Sequence, residues 1–454
     1  MELWRQIQEA GIVGCGGAGF PTHIKYQSKA GTLIINGAEC EPLLRTDQYL
    51  MQRHAPEIVS AVCAMRDAVD AQEAVIALKH NYTAQIAALN GAITHAGAPV
   101  RLHLLDSFFP AGDEQTLVYE VTGRVVPPGG LPGMAGCVVS NIATALCVYD
   151  AMQGRPFTHK YLTVTGAVHH PTIVHAPIGT PVADCLACAG GASEEDYIVI
   201  NGGPMMGKRM SKAEAMQAHV TKTMSGLIVL PASGAIARTE QISLTSMFNR
   251  ARSSCIQCSY CTQLCPRHLL GHPIEPHRIM RRLSFCGGDL DALLDDPAVR
   301  NAALCCECGI CELFACPMQL QPRRVNRLIK QRLAQNGIRY QRPEGEWRAR
   351  PERAGRLAPS ARVAARAGVA AHNKITIDCI EQVSPHAVSL ALRQGAGMAA
   401  QPTVAVGDRV SVGQQIASCP PDQLGAHLHA SLAGVVTGVS ASEITITSEQ
   451  GGNA

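Results

Sequence analysis

Along the first 155 residues the apolar positions switch between helical spacing and short continuous runs. Glu2 to Ala10 has the spacing of a short helix, and Thr32-Leu33-Ile34-Ile35-Asn36 is an apolar run that ends on a polar residue. Pro56 to Val69 returns to helical spacing, Glu73 to Leu78 reads as a strand, Asn81 to His95 as a helix, and Val100 to Leu105 as another strand. Strands that alternate with helices predict a parallel sheet covered on both faces.

From about residue 157 the period changes to two, in Tyr161 to Gly166 and again in Tyr197 to Ile200, with a short helix, Val182 to Ala189, between them. That predicts a small α+β module of β-grasp type over 156–240. Residues 241–338 read as helices around cysteine motifs. The stretch 339–372 is rich in Arg, Pro and Ala, has no apolar period, and predicts a linker. From 373 to 454 short strands return with Gly-rich turns, among them Val406-Gly407-Asp408-Arg409-Val410 and Leu432-Ala433-Gly434-Val435-Val436, as in a small β domain. The expected fold class is multidomain α/β, with residues 1–155 as its first domain.

A chain of 454 residues is long for one core, which agrees with several domains. A net charge of +3 gives no reason to expect nucleic acid or a membrane surface as partner. No apolar run reaches the roughly 18 residues that span a bilayer. Met1-Glu2-Leu3-Trp4-Arg5 lacks the basic and apolar regions of a secretory signal, so a cytoplasmic protein is expected.

The nineteen cysteines change the picture most. In a reducing compartment, clustered thiols serve metals or redox chemistry more often than disulfides. Eight form two motifs, Cys255-x2-Cys258-x2-Cys261-x3-Cys265-Pro266 and Cys305-x2-Cys308-x2-Cys311-x4-Cys316-Pro317. Thiolates three residues apart on a tight turn converge on one face of a 4Fe–4S cubane, and the Cys before Pro ligates the other cluster. One cluster therefore takes Cys255, Cys258, Cys261 and Cys316, and the other Cys305, Cys308, Cys311 and Cys265. Zinc, which also binds paired CxxC, is the alternative that this repeat disfavours. The second motif has one extra residue before its last Cys and so must bulge, and Cys306 stays open as an alternative to Cys305. The other eleven, Cys15, Cys40, Cys63, Cys137, Cys147, Cys185, Cys188, Cys286, Cys306, Cys379 and Cys419, are expected mostly as small buried hydrophobes. For Cys185 and Cys188, three apart on a helix, a buried face is preferred to a redox pair.

The loop Gly14-Cys15-Gly16-Gly17-Ala18-Gly19 alone is a weak phosphate-binding signal. The longer string, continuing Phe20-Pro21-Thr22-x2-Lys25 and then Ile35-Asn36-Gly37-Ala38-Glu39-Cys40-Glu41-Pro42, resembles the flavin- and NADH-binding subunit of respiratory complex I. It is more similar still to the C subunit of the Rnf electron-transport complex. In the order of its modules the chain resembles the cobalamin reductases of bacterial propanediol utilisation over nearly its whole length.

The resemblance implies an FMN site, with a Rossmann-like flavin domain, a ferredoxin-like two-cluster domain and a C-terminal barrel-sandwich domain. Backbone amides of Gly14, Gly16, Gly17 and Gly19 would hold the phosphate region, with Lys25 adding charge. Asn36 and Glu39 would bond the flavin or its ribityl chain, and Asn141, in Ser140-Asn141-Ile142-Ala143-Thr144, would close the site. Phe20 would stack on an NADH ring, and Glu41 and Glu114 would face the dinucleotide, with Asp113 beside them at a position that varies in the family. The turn Gly425-Ala426-His427-Leu428-His429 has no lysine for a covalent cofactor, and its histidines are expected as solvated turn residues, as are His169 and His170.

The implied activity is NADH-dependent reduction of cobalamin through FMN and two 4Fe–4S clusters, without a general acid–base dyad. The implied partners are a cobalamin adenosyltransferase and the shell proteins of a bacterial microcompartment, with self-association left open. The rival readings are an electron-relay subunit of an Rnf-type membrane complex and a soluble subunit of a ferredoxin- or hydrogenase-linked complex.

Overall fold

The computed structural model describes residues 1–285, 289–374, 376–377, 379–420 and 423–449. Cys286 lies outside the described residues. The first module is a four-stranded sheet in the order Val100–Leu105, Glu73–Lys79, Thr32–Asn36, Cys137–Asn141, every pair parallel. After Thr32–Asn36 the chain builds outward on one side, then crosses back to add Cys137–Asn141 on the other. The two strands that flank this reversal end together, with Asn36 paired to Asn141. Such a switch point, at the carboxyl ends of parallel strands, is where open α/β sheets bind ligands.

A second sheet of six strands follows, in the order Ile380–Gln382, Thr172–Pro177, His159–Gly166, Gly226–Pro231, Tyr197–Asn201, Lys208–Ser211, with helix Val182–Cys188 packed on it. Its edge strand Ile380–Gln382 pairs in parallel with Thr172–Pro177, although the sequence pattern assigns those residues to the C-terminal β module. Three residues of edge pairing leave too little periodicity to be read from sequence.

The helical module around the cysteines has its own core, built on Met247, Ile279, Val299, Val325 and Ile329. The expected linker is a folded strap. Ala358–Pro359 pairs with Phe108–Phe109 of the first module, and helix Ser360–Arg366 buries Val363 and Ala364. They join a core that holds Leu43 and Phe109 of the first module, Ile200 and Met205 of the second, and Cys308 and Ile310 of the third. The C-terminal module is two small sheets, of four and three strands. Its buried Val388, Leu390, Ile416 and Val436 share one hydrophobic core with Ile7, Ile12 and Val13 of the first module. Among the described residues no helix is long and apolar enough to cross a membrane.

Candidate functional site

The Gly-rich loop stands over the switch point. Its base is pinned by the bridge between Val13 and Pro21 and by the Gly14 amide donating to the Phe20 carbonyl at 2.9 Å, which leaves Gly16, Gly17 and Ala18 exposed at the tip. Gly17 has φ +101°, and a Cβ there would meet nothing within 4 Å, so the backbone faces open space. A Cβ on Gly16 would stand 3.7 Å from the Asn141 Cβ. Behind the loop, Asn141 caps helix Ile142–Met152, its Oδ1 accepting from the Ala143 amide. Exposed loop amides beside a helix N-terminus form an anion cradle.

Around the same strand ends the structure gathers most of the other expected residues. Lys25 Nζ donates to the Val139 carbonyl at 2.8 Å and to Glu114 Oε1 at 3.0 Å. Asn36 Nδ2 donates to the Gly112 carbonyl, and its Oδ1 accepts from the Ala38 amide. Glu39 is half-buried; burial pushes its carboxyl up to about 8, with the Asp47 and Glu41 charges adding to the effect. Phe20 is half-buried at the base of the loop. Gly19 is buried and turned to another partner, its carbonyl accepting from the Ala396 amide of the C-terminal module.

Glu41 departs from the role that the resemblance implies, and Asp113, for which it implies none, has a clear one in the fold. Glu41 does not stand free toward a dinucleotide, because its carboxylate oxygens accept the backbone amides of Met205 and Met206 at 2.9 Å each. Asp113 caps helix Glu114–Thr122 and forms a buried ion pair with Arg267, two residues after Cys265. Burial would raise the Asp113 carboxyl, but the guanidinium holds it below the usual range.

Sequence reasoning missed Asp47, Lys79 and Lys160. Asp47 is buried with its Oδ2 2.7 Å from Asn141 Nδ2, and burial pushes it up to about 6. Lys79 Nζ and the Tyr82 hydroxyl both donate to the Glu39 carbonyl, fixing the turn that presents Glu39. No local pattern marks these residues, since each reaches the site from a different element. The turn histidines are also corrected. His429 is buried and held down at about 3 by burial and by Lys222, and the His427 carbonyl accepts from Lys222 Nζ at 2.8 Å. Lys222 also bonds the Gly11 carbonyl, so the turn is packed at a junction of three modules. His169 and His170 are exposed, as expected for a turn.

The two cysteine loops repeat one backbone. In the first, Gln257 (φ +56°) and Ser259 (φ +63°) are left-handed; in the second, Glu307 (φ +58°) and Gly309 (φ +79°) occupy the matching positions. This correspondence aligns Cys305 with Cys255, and Cys306 with Ile256. Left-handed residues between the thiols turn amides inward, and the Glu307 and Leu320 amides donate to the sulfurs of Cys305 and Cys316 at 3.4 and 3.3 Å. The extra residue before Cys316 is absorbed by a π-helical turn, Ile310–Ala315, where the first motif has the α-turn Tyr260–Gln263.

The thiols act on one another electrostatically, both within and between the two expected quartets. Burial raises Cys261 to about 12, with Cys255, Cys316 and Cys258 adding to the effect. Cys265 is raised by burial and by Cys306 and Cys305, and Cys311 by burial and by Cys305, with Cys261 and Cys265 adding. Among the described residues no three or more His, Cys, Asp or Glu side chains close to the spacing of a single metal ion. The loops differ in setting. Ile256 and Tyr260 of the first are 61% and 48% exposed, whereas Ile310 of the second is 2% exposed in the core shared with the flavin-loop module.

Comparisons with known proteins fall on these same modules. Residues 7–150 match the Nuo51 FMN-binding domain, 161–209 the SLBB domain, 254–321 a 4Fe-4S dicluster domain, and 369–452 the RnfC barrel sandwich hybrid domain. Together with the geometry they define a multidomain flavin and iron–sulfur electron-transfer protein. The chain is 41% identical over 98% of its length, and 96% of the relative's, to the cobalamin reductase PduS of Salmonella typhimurium. To that of Citrobacter freundii it is 38% identical over 97% of its length and 95% of the relative's. The C subunit of the Na(+)-translocating ferredoxin:NAD(+) oxidoreductase complex of Acetobacterium woodii is 36% identical over 58% of each chain. The chain belongs to the PduS cobalamin reductase family.

Proposed function

We propose that the protein is an NADH-dependent cobalamin reductase of coenzyme B12-dependent propanediol degradation. The observation that carries this reading is the extent of the likeness: it runs across all modules for the two cobalamin reductases, and across little more than half of the chain for the Rnf-type subunit. FMN, when bound, would accept two electrons as one hydride and give them up singly, and 4Fe–4S clusters would carry single electrons to an acceptor such as the cobalt of cobalamin.

The residues present fit these groups. The exposed amides of Gly16 and Gly17, with Gly14 at the loop base and the helix N-terminus behind, bind the FMN phosphate, and Lys25 adds a positive charge held between Val139 and Glu114. Asn36 and Asn141 orient the flavin at the switch point, and Asp47 fixes the Asn141 amide. Glu39 holds a proton at its carboxyl near neutrality beside this site. Phe20 and Glu114 receive the dinucleotide, while Glu41 clasps the second module. Cys255, Cys258, Cys261 and Cys316 hold one cluster, and Cys305, Cys308, Cys311 and Cys265 the other, with Cys305 rather than Cys306 as ligand because it matches Cys255 in the repeated backbone.

We read the first sheet as Rossmann-like, the second as β-grasp and the helical module as ferredoxin-like, with boundaries near 155, 240, 338 and 372. We place the protein in the cytoplasm with a microcompartment, handing reduced corrinoid to an adenosyltransferase. The test is anaerobic reduction of cob(III)alamin by NADH with the purified, FMN- and iron-loaded chain, followed by corrin absorbance. NADH-dependent bleaching of the flavin without any change in the corrin would overturn the assignment of substrate.

A further inference from the structure

The inner side of the Gly-rich loop carries chemistry that flavin binding does not use. Cys15, 2% exposed, has its Sγ 3.9 Å from the Sγ of Cys147. Helix Ile142–Met152 sets this approach: the Cys15 amide donates to Thr144 Oγ1 at 3.0 Å, and Cys147 lies three residues further along the same helix. The sequence pattern suggests two unrelated small hydrophobes here, but the fold brings them together from 132 residues apart.

The pair is electrostatically unequal. The Cys147 thiol stabilises the Cys15 thiolate, and against the cost of burial the Lys160 ammonium assists, bringing Cys15 down to about 6. Cys147 is pushed up by Cys15 and by burial and stays protonated. Lys222 faces the same pair, and Asp47 adjoins Cys15. A thiolate with a protonated thiol at near contact is the arrangement that thiol oxidation uses.

We propose that Cys15 and Cys147 are a reversible disulfide site, oxidised by small hydroperoxides, whose closure resets the flavin-binding loop. The Cys15 thiolate attacks one peroxide oxygen, the O–O bond breaks, and the departing hydroxide takes a proton and leaves as water. The Cys147 sulfur then displaces hydroxide from the Cys15 sulfenic acid, and its proton goes to that hydroxide as a second water. Two thiols and one hydrogen peroxide thus give one disulfide and two waters. Cys147 is half-buried and Cys15 is buried, so a peroxide reaches the Cys15 sulfur by way of Cys147. A disulfide needs its sulfurs at about 2.05 Å, so the pair must close by nearly half its present separation. Cys147 is held on helix Ile142–Met152 and the loop base is pinned at Val13–Pro21, so any backbone movement that closure requires falls on the adjoining Gly16–Ala18 tip. The flavin consequence rests on the reading of that tip as the FMN cradle.

The test uses anaerobically purified holoprotein, treated with stoichiometric hydrogen peroxide, alkylated and digested. A peptide pair crosslinked through Cys15 and Cys147, released by dithiothreitol, is expected. FMN affinity, measured by flavin fluorescence, should differ at least fivefold between the oxidised and reduced protein, and the difference should vanish in Cys147→Ser. The crosslink is mapped on the unaltered chain, so it does not depend on the variant folding. Separate alkylation of both thiols after peroxide overturns the proposal, and a crosslink with unchanged FMN affinity overturns its effect on the loop. Failure of the reduced protein to bind FMN at all would instead sink the reading of the cradle.

Discussion

Glu39 is a residue whose chemistry departs far from its free behaviour near the flavin loop. Its carboxyl is lifted from 4.5 to about 8 by burial, and by Asp47 and Glu41, while Lys79 and a backbone amide oppose the shift. The folded protein therefore binds a proton that the unfolded chain has released between about pH 4.5 and 8. With more protons on the native state, stability is greatest below this window and falls as pH rises through it. FMN-free protein should accordingly show a Tm that declines from pH 5 to 8, and Glu39→Gln, which is neutral throughout, should flatten the decline. An unchanged slope in the variant would assign the pH dependence to other groups, such as Asp47. Residue roles at this scale are legible only where a motif carries them. Lys25, Asn36 and Asn141 stand in a recognisable string, whereas Asp47 and Lys160 gain their meaning from contacts made across the fold.

At the scale of elements, the repeated cysteine loops are readable because ligand spacing is a local constraint, and so is the need for one extra residue to be absorbed before Cys316. That a π-turn absorbs it is not readable, since the choice depends on packing against Arg323, which pairs with Glu312 in a buried ion pair and also bonds the Met205 carbonyl. The strap at 351–366 has the sequence of a linker for a related reason. Its apolar residues are few and unevenly spaced, yet each of Ala358, Val363 and Ala364 meets a core built by three other modules. The same packing makes the loops unequal, with the second buried against that core and the first open to solvent at Ile256 and Tyr260. Reconstituted protein should hold about eight iron atoms. A ferrous chelator should then remove them in two phases of similar size, the faster from the exposed loop. Cys258→Ser should retain about half of the iron and lose the fast phase, as followed by the absorbance of the chelate. A single phase in the unaltered protein would show that burial does not govern access.

At the scale of the whole molecule, the last module in sequence is an immediate neighbour of the first loop. The C-terminal β module is legible as a β domain from its Gly-rich turns, but its position is not, because no pattern in either segment encodes the other. The contact is intimate: the Ala396 amide donates to the Gly19 carbonyl at 2.9 Å, and a Cβ on Gly395 would collide with that same oxygen. A Cβ on Gly19 would in turn meet Thr223 of the second module at 2.6 Å and Gly395 at 2.7 Å. The glycine at position 19 is therefore required by the meeting of three modules, in addition to its φ of +62° and whatever it contributes to the phosphate. Lys222 reinforces the junction by bonding the Gly11 and His427 carbonyls. The loop proposed to cradle FMN is thus held in shape from behind by the C-terminal module. Gly395→Val tests this directly. Its side chain cannot coexist with the Gly19 carbonyl, and backbone on both sides of the contact leaves no flexible group to yield. The variant should lose FMN affinity by about 5- to 150-fold, the range that a strain of roughly 1–3 kcal/mol at the loop implies, while its iron content stays unchanged because the cysteine loops pack in cores other than the one the C-terminal module shares. Flavin fluorescence titration and iron analysis on one preparation measure both. Full FMN affinity in Gly395→Val would show that the loop keeps its shape without the C-terminal module.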